Sequence, residues 1–348
     1  MAPLLAIALA GQTVAQSKPP PVGSRVENIS IEARPLDHFQ QLQPERRRFG
    51  RLQWVGGLVL TSSSSQFGGW SGLLLASDGK RLVAISDAGS WLSAEVTYSG
   101  QKPTGLRNAR IGPLLGPGSK PLARLRDRDA EALTLLQGNL SNGTALIAFE
   151  GNHRIGRFTV KQNEISSAEG FLKLPPAAKR MSRNLGFESV SVLAGGPLKG
   201  SVVAFSEHLL DPRGNHSGWL WTGDTPRSIY LAENGGFDVT DAASLPDGSL
   251  LVLERRFRWT EGVKFRLRLV PAHEIASDAV LRGETLFEAD MAYEIDNMEG
   301  VAVHRGPRGE TVITLISDDN FNSLLQRTVM LQFNLIPDGE ARAATPNP

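Results

Sequence analysis

EALTLLQGNLSNGTALIAFE, residues 131–150, sets the pattern of the chain. It opens on a carboxylate, runs apolar, crosses a polar turn, runs apolar again and closes on a second carboxylate. Four other segments follow the same plan: SGLLLASDGKRLVAISD (71–87), ESVSVLAGGPLKGSVVAFSE (188–207), DAASLPDGSLLVLE (241–254) and EGVAVHRGPRGETVITLISD (299–318). Their starts lie 60, 57, 53 and 58 residues apart. Short apolar runs joined by Asp78-Gly79, Asn142-Gly143 and Asp247-Gly248 read as β-hairpins.

Working outward, a third β-patterned stretch follows each pair: Trp91–Tyr98, Ile155–Val160, Trp219–Trp221, Phe265–Val270 and Val329–Leu335. A fourth follows in four cases: Arg110–Leu115, Gly170–Leu174, Ser228–Ala232 and Glu284–Glu288. The fifth unit runs out of chain before its fourth strand, and Leu52–Leu60 (LQWVGGLVL), ahead of the first unit, can supply it. Tandem four-strand units of about 57 residues, closed by an N-terminal strand, describe an all-β fold: a β-propeller of five four-stranded blades. Closure of this kind removes exposed sheet edges. A sixth blade remains possible if Gly100–Leu125 hides a degenerate unit, and a flat β-solenoid is the competing architecture. Short helices are expected only within Thr225–Glu233 and Ala272–Val280.

Lys plus Arg is 37 and Asp plus Glu is 36, so no bulk polycation is present and nucleic acid is not an expected partner. The chain has no Cys. That excludes disulfide frameworks, thiolate metal sites and cysteine nucleophiles. No apolar run is long enough to span a bilayer. At the N-terminus, Leu4–Ala10 is unbroken apolar and Thr13-Val14-Ala15 resembles a signal-peptidase site, with Ala8-Leu9-Ala10 as an alternative. The usual basic residues before the apolar run are missing, which leaves a frayed apolar terminus as the other reading. The expected organisation is a signal peptide over 1–15, a linker and lead-in over 16–49, the propeller over 50–335 and a disordered tail over 336–348. A periplasmic or secreted location follows from the signal.

In a propeller, equivalent positions of successive blades meet around one axis. The unit starts are Ser71, Glu131, Glu188, Asp241 and Glu299, and the second strands end on Asp87, Glu150, Glu207, Glu254 and Asp318. Nine of these ten residues are carboxylates. Crowding them in a channel is unfavourable unless cations compensate. Arg126, Arg128, His153, Arg154, Arg183, Arg255 and Arg256 are close enough in sequence to do so. A hard divalent cation is the alternative; Asp296-Asn297-Met298-Glu299 and Asp318-Asp319-Asn320 offer the oxygen donors that suit Ca²⁺. Ordinary Glu–Arg pairs between blades would need no metal at all. There is no G-x-S-x-G elbow, P-loop, dinucleotide fingerprint or H-x-x-x-H pair.

Several segments, in this order, carry a family resemblance: Phe67-Gly68-Gly69-Trp70-Ser71-Gly72-Leu73, Asp129-Ala130-Glu131-Ala132-Leu133, Phe149-Glu150-Gly151-Asn152-His153-Arg154, Asn184-Leu185-Gly186-Phe187-Glu188-Ser189, Leu253-Glu254-Arg255-Arg256-Phe257, Asp296-Asn297-Met298-Glu299-Gly300-Val301 and Ile316-Ser317-Asp318-Asp319-Asn320-Phe321-Asn322. Over roughly 50–335 the chain resembles the bacterial family called esterase-like activity of phytase. Met298 stands where an aromatic is expected and Ser189 where Ala is usual. The resemblance implies an exported propeller with phosphoester-hydrolysing activity. The R-H-G-x-R-x-P motif is absent, so phosphohistidine chemistry is not expected. The nearest mechanistic analogue is a calcium-dependent propeller phytase, which binds phosphate between Ca²⁺ and basic side chains. On that analogy Glu131, Glu188, Glu299, Asp318 and Asp319 are the expected metal ligands. His153, Arg154 and Arg255 are the expected substrate contacts, and Glu150 or Glu207 the general base. The expected protein is a monomer acting on a small phosphoester or other anionic ligand. A non-catalytic ligand- or protein-binding module of the cell envelope stands as the alternative.

Overall fold

The computed structural model describes residues 19–338 except Pro21 and Arg183. The expected signal, 1–15, and residues 339–348 of the expected tail lie outside them. Five sheets, each with four antiparallel strands at its heart, stand around one axis. Blade I runs from its inner strand outward as Trp70–Leu75, Arg81–Ser86, Ser90–Ser99 and Lys102–Pro113. Blade II is Ala130–Asn139, Asn142–Phe149, Arg154–Lys161 and Glu164–Phe171. Blade III is Phe187–Val192, Val202–Leu210, His216–Trp221 and Pro226–Leu231. Blade IV is Asp238–Ser244, Leu250–Arg258, Gly262–Val270 and Glu284–Ala289. Blade V takes Asn297–Arg305, Thr311–Asp318 and Thr328–Leu335 from the end of the chain, and Leu52–Thr61 from its beginning. The closure pairs Leu335 with Leu52 through to Thr328 with Leu60, with one bulge that leaves Val55 unpaired. The five inner strands touch pairwise round the ring.

The apolar runs of the second strands are continuous because both faces of each blade are buried. Successive residues feed opposite neighbours. Leu82 and Ala84 pack toward blade V, Val83 and Ile85 toward blade II. Val203 and Phe205 pack toward blade IV, Val202 and Ala204 toward blade II. The core is therefore five wedges between blades. The wedge between blades IV and V also takes up Phe39, Phe49 and Trp54 from the lead-in and the closing strand.

Several local expectations need correction. Gly100–Leu125 hides no blade: Lys102–Pro113 is the long outer strand of blade I, and the remainder holds two short strands and single helical turns. Thr225–Glu233 is strand, since Ile229 and Leu231 alternate into the core. The turn of the second hairpin is Leu140-Ser141, flanked by the Asn139–Asn142 pair; Asn142-Gly143 already belongs to the strand. Residues ahead of the propeller also pair. Glu27–Asn28 joins the outer edge of blade I and Glu32–Leu36 that of blade V.

Candidate metal and anion site

Every inner strand carries one β-bulge near its start. The unpaired residue is Ser71, Glu131, Glu188, Thr240 or Glu299, according to the blade. A bulge places an extra residue opposite one partner and re-aims its side chain. The residues opposite the start of each bulge are Ser86, Phe149, Ser206, Glu254 and Ser317. The next residue of each second strand completes the ring: Asp87, Glu150, Glu207, Arg255 and Asp318. The first three donate their backbone N–H to Gly69, Asp129 and Gly186 at 2.8–3.0 Å.

This register corrects the sequence reading of blade IV by one residue on each strand. Thr240, not Asp241, is the bulged residue, and Arg255, not Glu254, faces the ring. The ring therefore holds seven carboxylates and one arginine. Asp241 is buried at the next position, where the other blades have Gly72, Ala132, Ser189 and Gly300. It accepts the N–H groups of Ala242 and Val301, each at 2.8 Å, tying blade IV to blade V. Burial raises its pKa well above the carboxylate range. Glu254 is fully buried between Arg266 and Arg268. Ser189, where Ala is usual in the resembling family, accepts the Phe205 N–H at 3.1 Å, and Met298 is buried.

The ring divides into two halves. On the side of blades II and III, carboxylate oxygens of Asp129, Glu131 and Glu150 lie within 4.8 Å of one another, and so do those of Glu150, Glu188 and Glu207. Glu150 belongs to both groups and accepts the Gly186 N–H at 2.8 Å. Burial, reinforced by neighbouring carboxylates, raises Glu131 and Glu188 well above the usual range. Burial is also the first cause for Glu150, pushed up to about 8, and for Glu207, pushed up to about 7 against the pull of Arg255.

On the other side, Arg255 supplies the positive charge. Its Nη1 donates to Glu299 at 2.9 Å and also to Asn297, and Nη2 lies 3.9 Å from Glu207. Asn297 donates to the same Glu299 oxygen at 2.7 Å. Although burial opposes its charge, Glu299, Glu207, Glu188 and Asp318 together raise the Arg255 pKa. Asp318 and Asp87 flank this half. Both are raised, first by burial and then by Glu299, Asp87 to about 8.

The expected site residues thus separate. Glu131, Glu188, Glu150 and Glu207 come together as an oxygen-donor cluster. Glu299 is engaged by Arg255. Asp319 is a loop staple: its Oδ1 accepts N–H groups from Gly69 and Phe321, each at 3.1 Å. Asp296 accepts the backbone N–H groups of Asn297 and Arg327 at 2.9 and 3.0 Å. His153 lies against Gly186, where an added Cβ would come 2.4 Å from Nδ1, next to the Glu150 chain. Burial lowers its pKa and so favours the neutral ring.

Arg154 spends two donors on the carbonyls of Asn152 and Asp127, and stacks 3.8 Å over Phe149; it braces a loop. Arg128 donates to the Leu122 carbonyl, and Arg256 to Gly235 and Glu261. Arg183 lies outside the described residues. Asp129 was hidden in the Arg126–Asp129 charge run, and only its place one residue before a bulge could have marked it. Replacing Glu299 by Gln is expected to lower the melting temperature equally in Ca²⁺ and in chelator, because its partner is Arg255. Melts in both conditions check this.

The sequence matches the family profile "Phytase-like: Esterase-like activity of phytase" over residues 65–321. No curated protein sequence matches the chain. Among solved structures, the Dos1 propeller is similar at 8% identity, with a TM-score of 0.36, over 87% of this chain and 83% of that one.

Proposed function

The chain belongs to the phytase-like family, esterase-like activity of phytase, and on that premise we propose that it is an exported, metal-dependent hydrolase of small phosphoesters. The observation that carries the reading is the pair of carboxylate groups sharing Glu150, whose donors are all oxygens. Such a set fits a hard cation, Ca²⁺ above all. Asp129, Glu131 and Glu150 would hold one cation, or Glu150, Glu188 and Glu207. Once bound, the cation would neutralise a phosphoryl oxygen and lower the pKa of a coordinated water.

The protein's own groups then have distinct roles. Arg255, fixed by Glu299 and Asn297, presents a permanent positive charge across the ring, against which an anionic ester can be oriented. His153 stands beside Glu150 with its Nδ1 unpartnered, where the neutral ring offers an acceptor to a bound ligand.

A panel of phosphomonoesters and diesters, assayed with Ca²⁺ and with chelator, tests the reading. Turnover is expected only with the metal. Glu188→Gln should weaken Ca²⁺ binding and lower turnover by about 100-fold, in line with the loss of a charged interaction of nearly 3 kcal/mol. Calcium titration of both proteins by calorimetry checks it; unchanged affinity would remove Glu188 from the site. Export rests on Leu4–Ala10 and the small residues after it. Mass spectrometry of protein secreted to the periplasm or medium should find a mature N-terminus near Gln16, whereas retained Met1 would count against export.

A further inference from the structure

We propose that the ring end of the propeller docks on an anionic lipid surface, with the hairpin of blade IV as its anchor. In every blade the second strand runs toward the ring and the third runs away from it. The loops between them, and those that enter the inner strands, therefore share that end. Ten large apolar side chains are exposed among the described residues, and seven of them stand on these loops or at their strand ends. Leu125 precedes blade II and Met291 precedes blade V. Leu210 tops blade III, Phe257 and Trp259 top blade IV, and Leu324 and Leu325 top blade V. Scattered singly such residues would mean little; gathered at one end they mark an interaction face.

The most exposed of them are held in place. Past Arg255 the hairpin of blade IV continues through three more pairs, from Arg256 opposite Lys264 to Arg258 opposite Gly262. At the usual rise of a strand this carries Trp259 about 10 Å beyond the ring. Glu261 ties the turn to Arg256, Arg258 and Lys264 at 2.7–3.2 Å, and Phe257 packs edge-on to Trp259. Trp259 is nonetheless 75% exposed. The loop of blade V is fixed at one end by Asp319 and at the other by Arg327, which donates to Glu294 and to the Ile295 carbonyl at 3.0 Å. Leu324 and Leu325 still point outward, 94% and 76% exposed.

Cations complete the face. Arg124 and Arg126 flank Leu125, and the Asn152 N–H donates to the Arg126 carbonyl, which sets this turn beside the loop after Glu150. Lys179 and Arg180 are exposed just before Met181, whose backbone bonds to His153. None of these four cations forms an ion pair among the described residues. The ring carboxylates, by contrast, are buried or half-buried. The apolar tips come from different blades round a closed ring, so a partner that meets them together is flat and extended. Unpaired cations beside them call for negative charge. A tryptophan on a projecting tip suits the headgroup level of a bilayer, where its amphipathic ring sits. A surface of anionic lipid has all three properties. Docking is peripheral, since no helix among the described residues is long and apolar enough to cross a membrane.

Vesicles of equimolar phosphatidylcholine and phosphatidylglycerol are the probe, with phosphatidylcholine alone as the neutral comparison. Chelator is present throughout, so the proposed metal site has no part in the result. The full chain should bind the mixed vesicles about tenfold more tightly than the neutral ones, and less tightly at high salt. Trp259 reports its own insertion, because the other five tryptophans are at most 4% exposed. Its emission should shift to the blue and its quenching by acrylamide should fall. Trp259→Ser, and Leu324→Ser combined with Leu325→Ser, should each weaken binding about tenfold. Arg124→Glu combined with Arg126→Glu should abolish the preference for anionic vesicles. These side chains are exposed, so all three variants should melt as the wild type does. Absence of binding to either vesicle overturns the proposal, as does binding that leaves the Trp259 emission unchanged. Equal binding to the two vesicles overturns the anionic requirement. A Trp259-dependent dimer in sedimentation velocity without vesicles would assign the face to a second copy of the chain and overturn the lipid reading.

Discussion

Replacing Glu254 by Gln is expected to cost about 3–5 kcal/mol or to prevent folding, equally in Ca²⁺ and in chelator. Glu254 is the most deeply embedded carboxylate of blade IV. Both of its oxygens are claimed: Arg266 approaches them in a two-pronged contact at 2.9 Å, and Arg268 reaches the same two oxygens. The arginines in turn hold the loop that enters blade IV. Arg266 donates to the Asn234 carbonyl and stacks 4.3 Å from the Phe237 ring centre; Arg268 donates to Ala232. Neutralising the carboxylate strands two buried guanidinium groups, and that penalty exceeds the worth of the pair itself. Calcium has no part in this cluster, so it cannot rescue the variant. Denaturant unfolding in both conditions checks the result. A loss confined to the calcium-loaded protein would place Glu254 in the ring after all and undo the register assigned to blade IV.

The second large effect is a fall in stability with rising pH when no divalent cation is present. Asp87 and Glu150 are pushed up to about 8 and Glu207 to about 7, chiefly by burial, from ordinary values of 3.8 and 4.5. Between the unfolded and folded values the folded ring holds protons that the unfolded chain has released. Stability from these groups is therefore full below pH ~4 and is lost as pH rises through 7–8. One group losing its proton over three pH units is worth about 4 kcal/mol, or on the order of 10 °C in melting temperature. A cation held by the ring replaces those protons and should flatten the curve. Calorimetric scans from pH 5 to 8, with Ca²⁺ and with chelator, measure this. A melting temperature in chelator that is flat or rising over that range would mean the ring ionises unaided, and would remove the need for a metal.

These two results bear on how far the primary sequence reaches. The five-unit repeat, the strand order and the N-terminal closure were legible because they depend on local periodicity and on edge satisfaction. Both are written residue by residue: Val203 and Phe205 face one wedge and Val202 and Ala204 the other, whatever else the chain does. The carboxylate ring was legible as a tendency for the same reason. Its membership was not. In blade IV the acidic residues Asp241 and Glu254 match the pattern by eye, yet the bulge falls on Thr240 and the ring position on Arg255. A one-residue shift in a strand reverses the face of a side chain, and bulge position is set by how neighbouring inner strands fit against one another. Partner choice also waited on the fold. Arg154, Arg255 and Arg256 look alike in sequence, but only Arg255 meets the ring, because only its strand position turns it inward. The sequence by itself determined that five blades would close and crowd carboxylates at one end of a channel. Tertiary structure decided which of them stand unneutralised together, because that depends on register and on which guanidinium each strand end delivers.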